Sequence, residues 1–253
     1  MARPKMWRVM TGNKAPVFSA VLVCYNEAGN ILPAATRLAE TGFGELDAEA
    51  IFVDNGSSDS TGAEIGQAAA QYPFVRAVSV GQNRGYGHGI LSGLSAARGE
   101  WLGWTHGDMQ FDPADLLKAY RIAAGNGDTR LFVKGLRAGR PFVERFFTAG
   151  MALLMSLLFG RALWDINGQP SLFHRDFYAG WKNPPLDFTL DLYAYALAAR
   201  SGLRIIRFPA PVHPRSKGES SWNRGLSSRL ALSGRVLRAA MPLKRAVKAA
   251  EHE

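Results

Sequence analysis

One cysteine, Cys24, stands in 253 residues. A lone thiol closes no internal disulfide and builds no cysteine-based zinc site, which fits a cytosolic location. No stretch reaches the roughly 20 apolar residues that a membrane-spanning helix needs. The nearest, Phe146 to Gly160, carries no charge and is bracketed by Arg145 and Arg161. As a helix it would be about 22 Å long, short of a hydrocarbon core of about 30 Å. It is expected to be either a buried core helix or an interfacial one, and the flanking arginines favour the interface. The start, Met1-Ala-Arg-Pro-Lys-Met-Trp-Arg8, is basic but leads into no apolar h-region, so no signal peptide is expected. Internal repeats and low-complexity linkers are missing too. With 47% apolar residues, the length suits one large α/β domain.

Acids are missing from Ser220 to Ala250, where Arg224, Arg229, Arg235, Arg238, Lys244, Arg245 and Lys248 supply most of the net charge of +9. A basic segment of this kind suggests a polyanion, either membrane lipid or nucleic acid. On a helical projection Leu226, Leu230, Leu237 and Met241 share a face, with Arg224, Arg235 and Arg238 opposite. Pro242 is expected to end or kink that helix. Such basic amphipathic helices commonly lie on anionic membranes. The plainer alternative is a solvated face packed on the main domain.

Along the chain, strand-like and helix-like segments alternate. Val17–Cys24, Ala50–Val53, Phe74–Val80, Trp101–Thr105 and Leu131–Val133 read as strands. Glu27–Glu40, Ser60–Gln71, Ile90–Ala97 and Pro113–Ala123 read as the intervening helices. This order predicts a mostly parallel sheet with helices on both faces. After residue 140 the alternation loosens into a long helix, a short strand Ser171–Phe173, a helix Asp187–Arg200 and a strand Leu203–Phe208.

Three segments carry candidate chemistry. In Trp104-Thr-His-Gly-Asp-Met-Gln110, His106, Asp108 and Gln110 alternate at the end of a strand. Two apart along a strand, they are expected to share one face and point into one pocket at the C-terminal end of the sheet. A carboxylate with imidazole and amide neighbours suits a divalent cation that also carries substrate phosphates. The alternative is a polar strand-to-helix turn, with Asp112-Pro113 opening the next helix. In Val53-Asp-Asn-Gly-Ser-Ser-Asp-Ser-Thr61, Asp54 can accept hydrogen bonds from a ribose or a base edge, and Ser57 to Thr61 offer N-caps. Asn55-Gly-Ser57 also spells a glycosylation sequon, discounted for want of a secretion signal. Gly81-Gln-Asn-Arg-Gly-Tyr-Gly-His-Gly89, with Gly93 a turn later, is neither a dinucleotide fingerprint nor a Walker A loop. Small residues before a helix N-terminus do let backbone approach a phosphate.

Together these segments resemble family 2 glycosyltransferases of the GT-A (Rossmann-like) fold, over roughly residues 17–222. The similar branch is the polyprenyl-phosphate sugar synthases, typified by dolichol-phosphate mannose synthase. Cys24-Tyr-Asn-Glu27 is similar to the family's Tyr-Asn-Glu, and Val53–Thr61 to its Val-Asp-Asp-Gly-Ser-x-Asp-x-Thr. Asn83-Arg-Gly-Tyr-Gly-His-Gly89 is similar to its Asn-x-Gly-x-Gly. His106–Gln110 occupies its Asp-x-Asp-x-Gln metal motif, and Arg215-Ser-Lys-Gly-Glu-Ser220 matches its Arg-x-x-Gly-x-Ser. The resemblance implies that Tyr25, Glu27 and Asp54, with Gly85, bind the donor nucleotide, and that Asp108 and Gln110 hold Mg²⁺ or Mn²⁺. It implies that Arg137 and Arg145 neutralise an acceptor phosphate, and that Arg215 and Ser220 lie near the phosphates. His106 departs from the family, standing where the first Asp of the metal motif is usual. Its imidazole can ligate or orient a water, with one negative charge fewer and weaker metal binding. Ser221 replaces a lysine that often follows the last motif.

The resemblance implies a GT-A domain over residues 1–222 and a basic amphipathic segment over 223–253. It implies inverting, metal-dependent transfer from a nucleotide sugar to a polyprenyl phosphate. The protein would be peripheral to the cytoplasmic face of a membrane, with a membrane-protein partner as an option. An ionised acceptor phosphate needs no strong general base; Asp187 or Asp191 could serve a hydroxyl acceptor, although Asp191 reads as structural. Asn167-Gly-Gln-Pro170, with Gln169-Pro170 and Trp222-Asn223, is expected on the acceptor and sugar side, and Trp164 and Trp181 as core or rim aromatics. The alternatives are a soluble transferase acting on a sugar or protein hydroxyl, and a basic nucleic-acid-binding protein. The latter leaves the metal motif without a role and shows no nucleic-acid motif, so no nucleic-acid partner is expected.

Overall fold

A computed structural model describes residues 15–139, 142–214, 234, 238–245 and 247–248. Seven strands, β1 (Phe18–Cys24), β2 (Ala48–Asp54), β3 (Val75–Ser79), β4 (Trp101–His106), β5 (Leu131–Ala138), β6 (Ser171–His174) and β7 (Arg204–Pro211), form one sheet in the order β3-β2-β1-β4-β6-β5-β7. All pairings are parallel except those of β6 with β4 and β5. The helices are α1 (Ile31–Glu40), α2 (Thr61–Gln71), α3 (Tyr86–Ala96), α4 (Ala114–Asn126), α5 (Phe142–Phe159), α6 (Arg175–Ala179) and α7 (Leu190–Arg200).

Every residue of β1 is buried, as a central parallel strand covered on both faces requires. Phe18, Ala20 and Leu22 face a core shared with α1, α2 and α4, while Val21 and Val23 face one shared with α3, α5 and α7. Helix α1 buries Ile31, Ala34, Ala35 and Leu38, one apolar stripe at helical spacing. Helix α4 opens where Asp112-Pro113 predicts: Asp112 Oδ1 accepts from the Ala114 N–H at 2.9 Å, and Gly127 ends it in the left-handed region.

Two helices start later than their periodicity suggests. Residues 27–30 form a turn rather than the first turn of α1, because Gly29 takes φ 81°, outside the helical region, and the N–H groups of residues 27–29 bond instead to side chains of the segment after β2. Asp187 likewise precedes α7: its side chain accepts from the Thr189 N–H at 2.9 Å. The apolar run after residue 140 is one helix with a buried face and an exposed apolar face. Ala152, Met155 and Phe159 of α5 are buried, whereas Phe146, Leu153 and Leu157 are 68%, 63% and 73% exposed. Among the described residues no helix is long and apolar enough to cross a membrane.

Near the C-terminus, residues 238–245 are helical straight through Pro242, which does not end the helix. The face expected there is also corrected. Ala240, Leu243 and Val247 enter the same core as Met155 and Phe159, while Met241 is 53% exposed beside exposed Arg238. Packing on α5 and α7 chose the buried face, and a projection of the isolated segment could not include it. Leu226, Leu230 and Leu237 lie outside the described residues.

Candidate active site

In register, Val23 lies opposite His106 and Cys24 opposite Asp54, so β1, β2 and β4 end together. From β1 the chain steps outward through β2 and β3, then resumes with β4 on the other side of β1. Ligands of open α/β sheets bind beyond the strand ends at such a switch point. Tyr25–Glu27, Asp54 and His106–Gln110 all sit at this edge.

The loops there are stitched together. Asn26, at φ 53°, accepts the Ser58 N–H on its Oδ1 at 2.9 Å, and its own N–H donates to Ser57 Oγ at 3.0 Å. Glu27 N–H donates to Thr61 Oγ1 at 2.8 Å, and Gly29 N–H to Glu64 Oε2 at 2.7 Å. The serines and Thr61 thus tie two loops together rather than capping a helix as expected; Ser60, the N-cap of α2, makes no side-chain cap bond. On this platform Tyr25 is half exposed. Asn30 Nδ2 donates to Glu27 Oε2 at 2.7 Å, and Asp54 Oδ1 accepts the Ser57 N–H at 2.9 Å. Asp108 is buried and accepts the Gln110 N–H at 3.1 Å. Burial, and after it the negative charges of Glu27, Asp54 and Asp108, push the Cys24 thiol well above the usual thiol range.

His106, Asp108 and Gln110 do not share a strand face. β4 ends at His106, and Met109 takes φ 59°, so Asp108 and Gln110 belong to a turn. Gly107 makes the turn possible: its N–H donates to Val23 O at 2.9 Å, and a Cβ there would collide with Cys24 Sγ. The His106 ring stacks on Tyr86, 4.8 Å away and 18° from parallel, and lies near Phe111, at 6.2 Å and 20°. Among the described residues no three His, Cys, Asp or Glu side chains are grouped to hold a metal. A self-contained protein cage is therefore not what these donors fit. They fit an Mg²⁺ or Mn²⁺ ion that takes one or two carboxylates from protein and completes its shell with substrate phosphates and water.

The glycine-rich segment is engaged by protein. Gly85, at φ 114°, starts α3, and a Cβ there would lie 2.6 Å from Leu186 O; one on Gly87 would lie 2.6 Å from Pro185 O. The His88 N–H donates to Leu186 O at 2.8 Å. These glycines admit the segment at residues 185–187, where a phosphate cradle was the expectation.

Arg137, expected to meet an acceptor phosphate, is held by Asp165: its Nε donates to Oδ1 at 2.7 Å and its N–H to Oδ2 at 2.7 Å. Arg145 is exposed on α5. Arg215, Ser220, Ser221, Trp222 and Asn223 lie outside the described residues. The chain leaves β7 toward the metal motif, since the His213 N–H donates to Gln110 O at 2.8 Å. Asp187 is exposed beside Gly85 and Gly87. Asp191 is buried in α7 and accepts from Gln169 Nε2 at 2.7 Å, a structural placement. Gln169 and Pro170 are buried behind the edge rather than lining an open sugar pocket; of Asn167–Pro170 only Asn167 is exposed. Trp181 packs against Trp104, Phe173 and Tyr193, and Trp164 is 52% exposed, one core and one rim aromatic.

Sequence reasoning missed Lys134, Gln169 as a buried tie, and Tyr86. One signal was available: Lys134 follows Leu131-Phe-Val133 in the middle of a strand, where a charge is out of pattern.

Comparison with known proteins accords with this geometry. The sequence model of Glycosyl transferase family 2 matches residues 19–166. An undecaprenyl-phosphate 4-deoxy-4-formamido-L-arabinose transferase of Sodalis glossinidius is 34% identical over 159 residues, 61% of this chain and 48% of that protein. The dolichol-phosphate mannosyltransferase of Saccharomyces cerevisiae is 31% identical over 105 residues, 41% of this chain and 39% of that one. The matched part of the chain thus spans about half or less of these relatives' length. Among solved structures, glucosyl-3-phosphoglycerate synthase from Mycobacterium tuberculosis in complex with UDP superposes with a TM-score of 0.69. That match covers 90% of this chain and 80% of that one at 20% identity, a likeness of fold. With more than half of its residues inside the family match and the sheet to go with it, the chain belongs to glycosyl transferase family 2 and has a GT-A fold.

Proposed function

We propose that this protein transfers a sugar from a nucleotide-sugar donor to a polyprenyl phosphate, with inversion, at the cytoplasmic face of a membrane. The observation that carries the reading is the position of Glu27, Asp54 and Asp108 at or just beyond the aligned ends of β1, β2 and β4, the switch-point edge of the sheet. The relatives named as undecaprenyl-phosphate and dolichol-phosphate sugar transferases supply the acceptor class.

Tyr25, Glu27 and Asp54 hold and orient the donor nucleoside. Asp108 and Gln110 hold Mg²⁺ or Mn²⁺ against the diphosphate, with His106 at their side. That ion, when bound, neutralises charge on the departing nucleoside diphosphate. A phosphate oxygen of the acceptor attacks the anomeric carbon as the bond to the diphosphate breaks, and the nucleotide leaves with the electron pair. Arg145, Arg215 and Ser220 steady the phosphates, Arg through its planar fork. Arg137, bonded to Asp165, shapes this side and adds charge at a distance.

The exposed apolar face of α5 meets the lipid surface, either directly or with a membrane-protein partner. Leu153, Leu154 and Leu157 present it, Arg145 and Arg161 flank it, and the bases after residue 220 supply attraction to anionic headgroups. Residues 1–222 carry the transferase fold and 223–253 the basic segment.

The test is a transfer assay. Purified protein, Mg²⁺ or Mn²⁺ and labelled nucleotide sugars are mixed with polyprenyl phosphate. Label should pass into the organic phase, and Asp108→Ala should lower the rate by about 10²–10³-fold, the usual loss on removing an electrostatic stabiliser of the transition state. Donor turnover without lipid product would sink the lipid acceptor. A hydroxyl acceptor is the second reading, favoured by Asp187, an exposed carboxylate beside Gly85 and Gly87; it requires Asp187→Asn to abolish transfer.

A further inference from the structure

Behind the candidate site, a chain of buried polar groups runs from β5 to the ring of His106. Lys134 is completely buried; its Nζ donates to Ser171 Oγ at 2.9 Å and lies 3.8 Å from Asp191 Oδ1. The same carboxylate oxygen accepts from Gln169 Nε2 at 2.7 Å, and that amide nitrogen lies 3.2 Å from the Tyr86 hydroxyl. The Tyr86 ring covers one face of His106 at 4.8 Å.

Gln169 has no freedom to move away. Its backbone carbonyl packs against Gly135, where any Cβ would collide with it, and Gly135 N–H donates to Pro170 O at 2.8 Å, which pins the backbone that carries the amide. The His106 ring makes no hydrogen bond among the described residues, so Tyr86 and Phe111 alone set its plane. A lysine and a carboxylate buried together do not improve on an apolar pair of the same volume. Stability therefore does not explain why this apolar strand carries Lys134. The pair does supply a charge-balanced carboxylate that can orient the Gln169 amide.

We propose that Lys134, Asp191, Gln169 and Tyr86 form a buried relay that fixes the His106 ring at the mouth of the nucleotide site. Gln169 and Tyr86 are then positioning residues for binding of a metal–nucleoside diphosphate. Lys134 neutralises Asp191, Asp191 aims the Gln169 amide, the amide holds the Tyr86 hydroxyl, and the Tyr86 ring holds His106. The first half of this inference concerns the protein alone; the second rests on the function proposed above.

The experiment reads the two halves separately. The full chain is labelled with ring-¹³C histidine, and the His106 signal is assigned with His106→Gln. Binding of UDP and of GDP is measured with and without Mn²⁺. Tyr86→Phe removes only the hydroxyl oxygen, which is buried against Gln169 and Asp191, and leaves the ring in place. Tyr86→Phe and Gln169→Leu should both move or broaden the His106 signal and weaken Mn²⁺–nucleotide binding severalfold. Gln169→Glu alone should do worse, by placing two carboxylates together. Combined with Asp191→Asn it should restore both readouts, because the donor and acceptor roles across the 169–191 bond are exchanged and the pair again carries one negative charge. A His106 signal unchanged in Tyr86→Phe, or a swap that restores folding but not the signal, overturns the relay. If the wild-type chain binds neither nucleotide, the functional reading falls, and the His106 signal still decides whether the relay exists.

Discussion

The sheet buries a carboxylate at one end and an ammonium near the other, and the protein holds them in opposite ways. Glu49 in β2 is 1% exposed and accepts from Ser19 Oγ at 2.7 Å, the Arg98 N–H at 2.7 Å, Arg76 at 2.6 Å and the Arg98 guanidinium at 2.9 Å. Its two arginines reach water, at 34% and 55% exposure. Lys134 in β5, fully buried, has the Ser171 hydroxyl, the Asp191 carboxylate 3.8 Å away and the Tyr195 ring at 5.8 Å. For Glu49, burial pushes the carboxyl up, but the bonds from Ser19, Arg98 and Arg76 outweigh it and the pKa ends below the ordinary value. For Lys134 burial wins, and despite Asp191 the pKa falls to about 8. The number and closeness of partners, not burial, separates a charge that stabilises from one that is merely tolerated. The stabilising cluster joins β1, β2 and β3 away from the site; the tolerated one lies behind it.

The contrast can be broken by mutation. Lys134→Met strands Asp191 in the core and should cost about 3–5 kcal/mol in denaturant unfolding. Adding Asp191→Leu should return most of that, because an apolar pair of similar volume is neutral or better. A single change without cost, or a double change no better than the single, would erase the distinction. Glu49→Gln should cost less, about 2–3 kcal/mol, since its arginines can turn to solvent.

The two charges should also give opposite pH dependences. Between pH about 8 and the unfolded lysine value of about 10.4, the unfolded chain binds the proton that the folded chain has lost. The stability of the wild type relative to Lys134→Met should therefore rise across that window. Glu49 contributes stability above the unfolded glutamate value of about 4.3. That contribution should fade as the pH falls through its lower folded value, relative to Glu49→Gln.

Smaller effects test one packed helix, α3, and one with an exposed face, α5. At Gly93 a Cβ would meet Val21 and lie 2.8 Å from Val53 Cγ2, so Gly93→Ala should cost about 1–3 kcal/mol by overpacking α3 on β1 and β2. Leu153→Glu with Leu157→Glu, on exposed α5 positions, should change stability by no more than about 0.5 kcal/mol per site, yet abolish flotation with anionic vesicles. Undiminished flotation would remove α5 from the membrane surface.

The parallel strands were legible because β1, β2 and β4 are buried on both faces and read as apolar runs. Their loops were legible through Tyr25-Asn-Glu27, Asp54 and Asp108, whose types suit ligands whatever their contacts. What misled was context. The glycines after residue 81 look alike whether they admit a phosphate or Leu186. Arg137 looks the same free or bonded to Asp165, and Met241 the same on either side of an unseen partner helix.

By itself, then, the sequence determined the α/β class, the family and the set of side chains at one sheet edge, because strand burial, helical period and turn chemistry are short-range. Only tertiary structure decided that His106 leaves the pleat at its last residue, that Gln169 turns inward to Asp191 and Tyr86, and that Lys134 is buried beside them. Those outcomes depend on contacts between residues 22 to 83 positions apart, and no local pattern encodes a partner that distant.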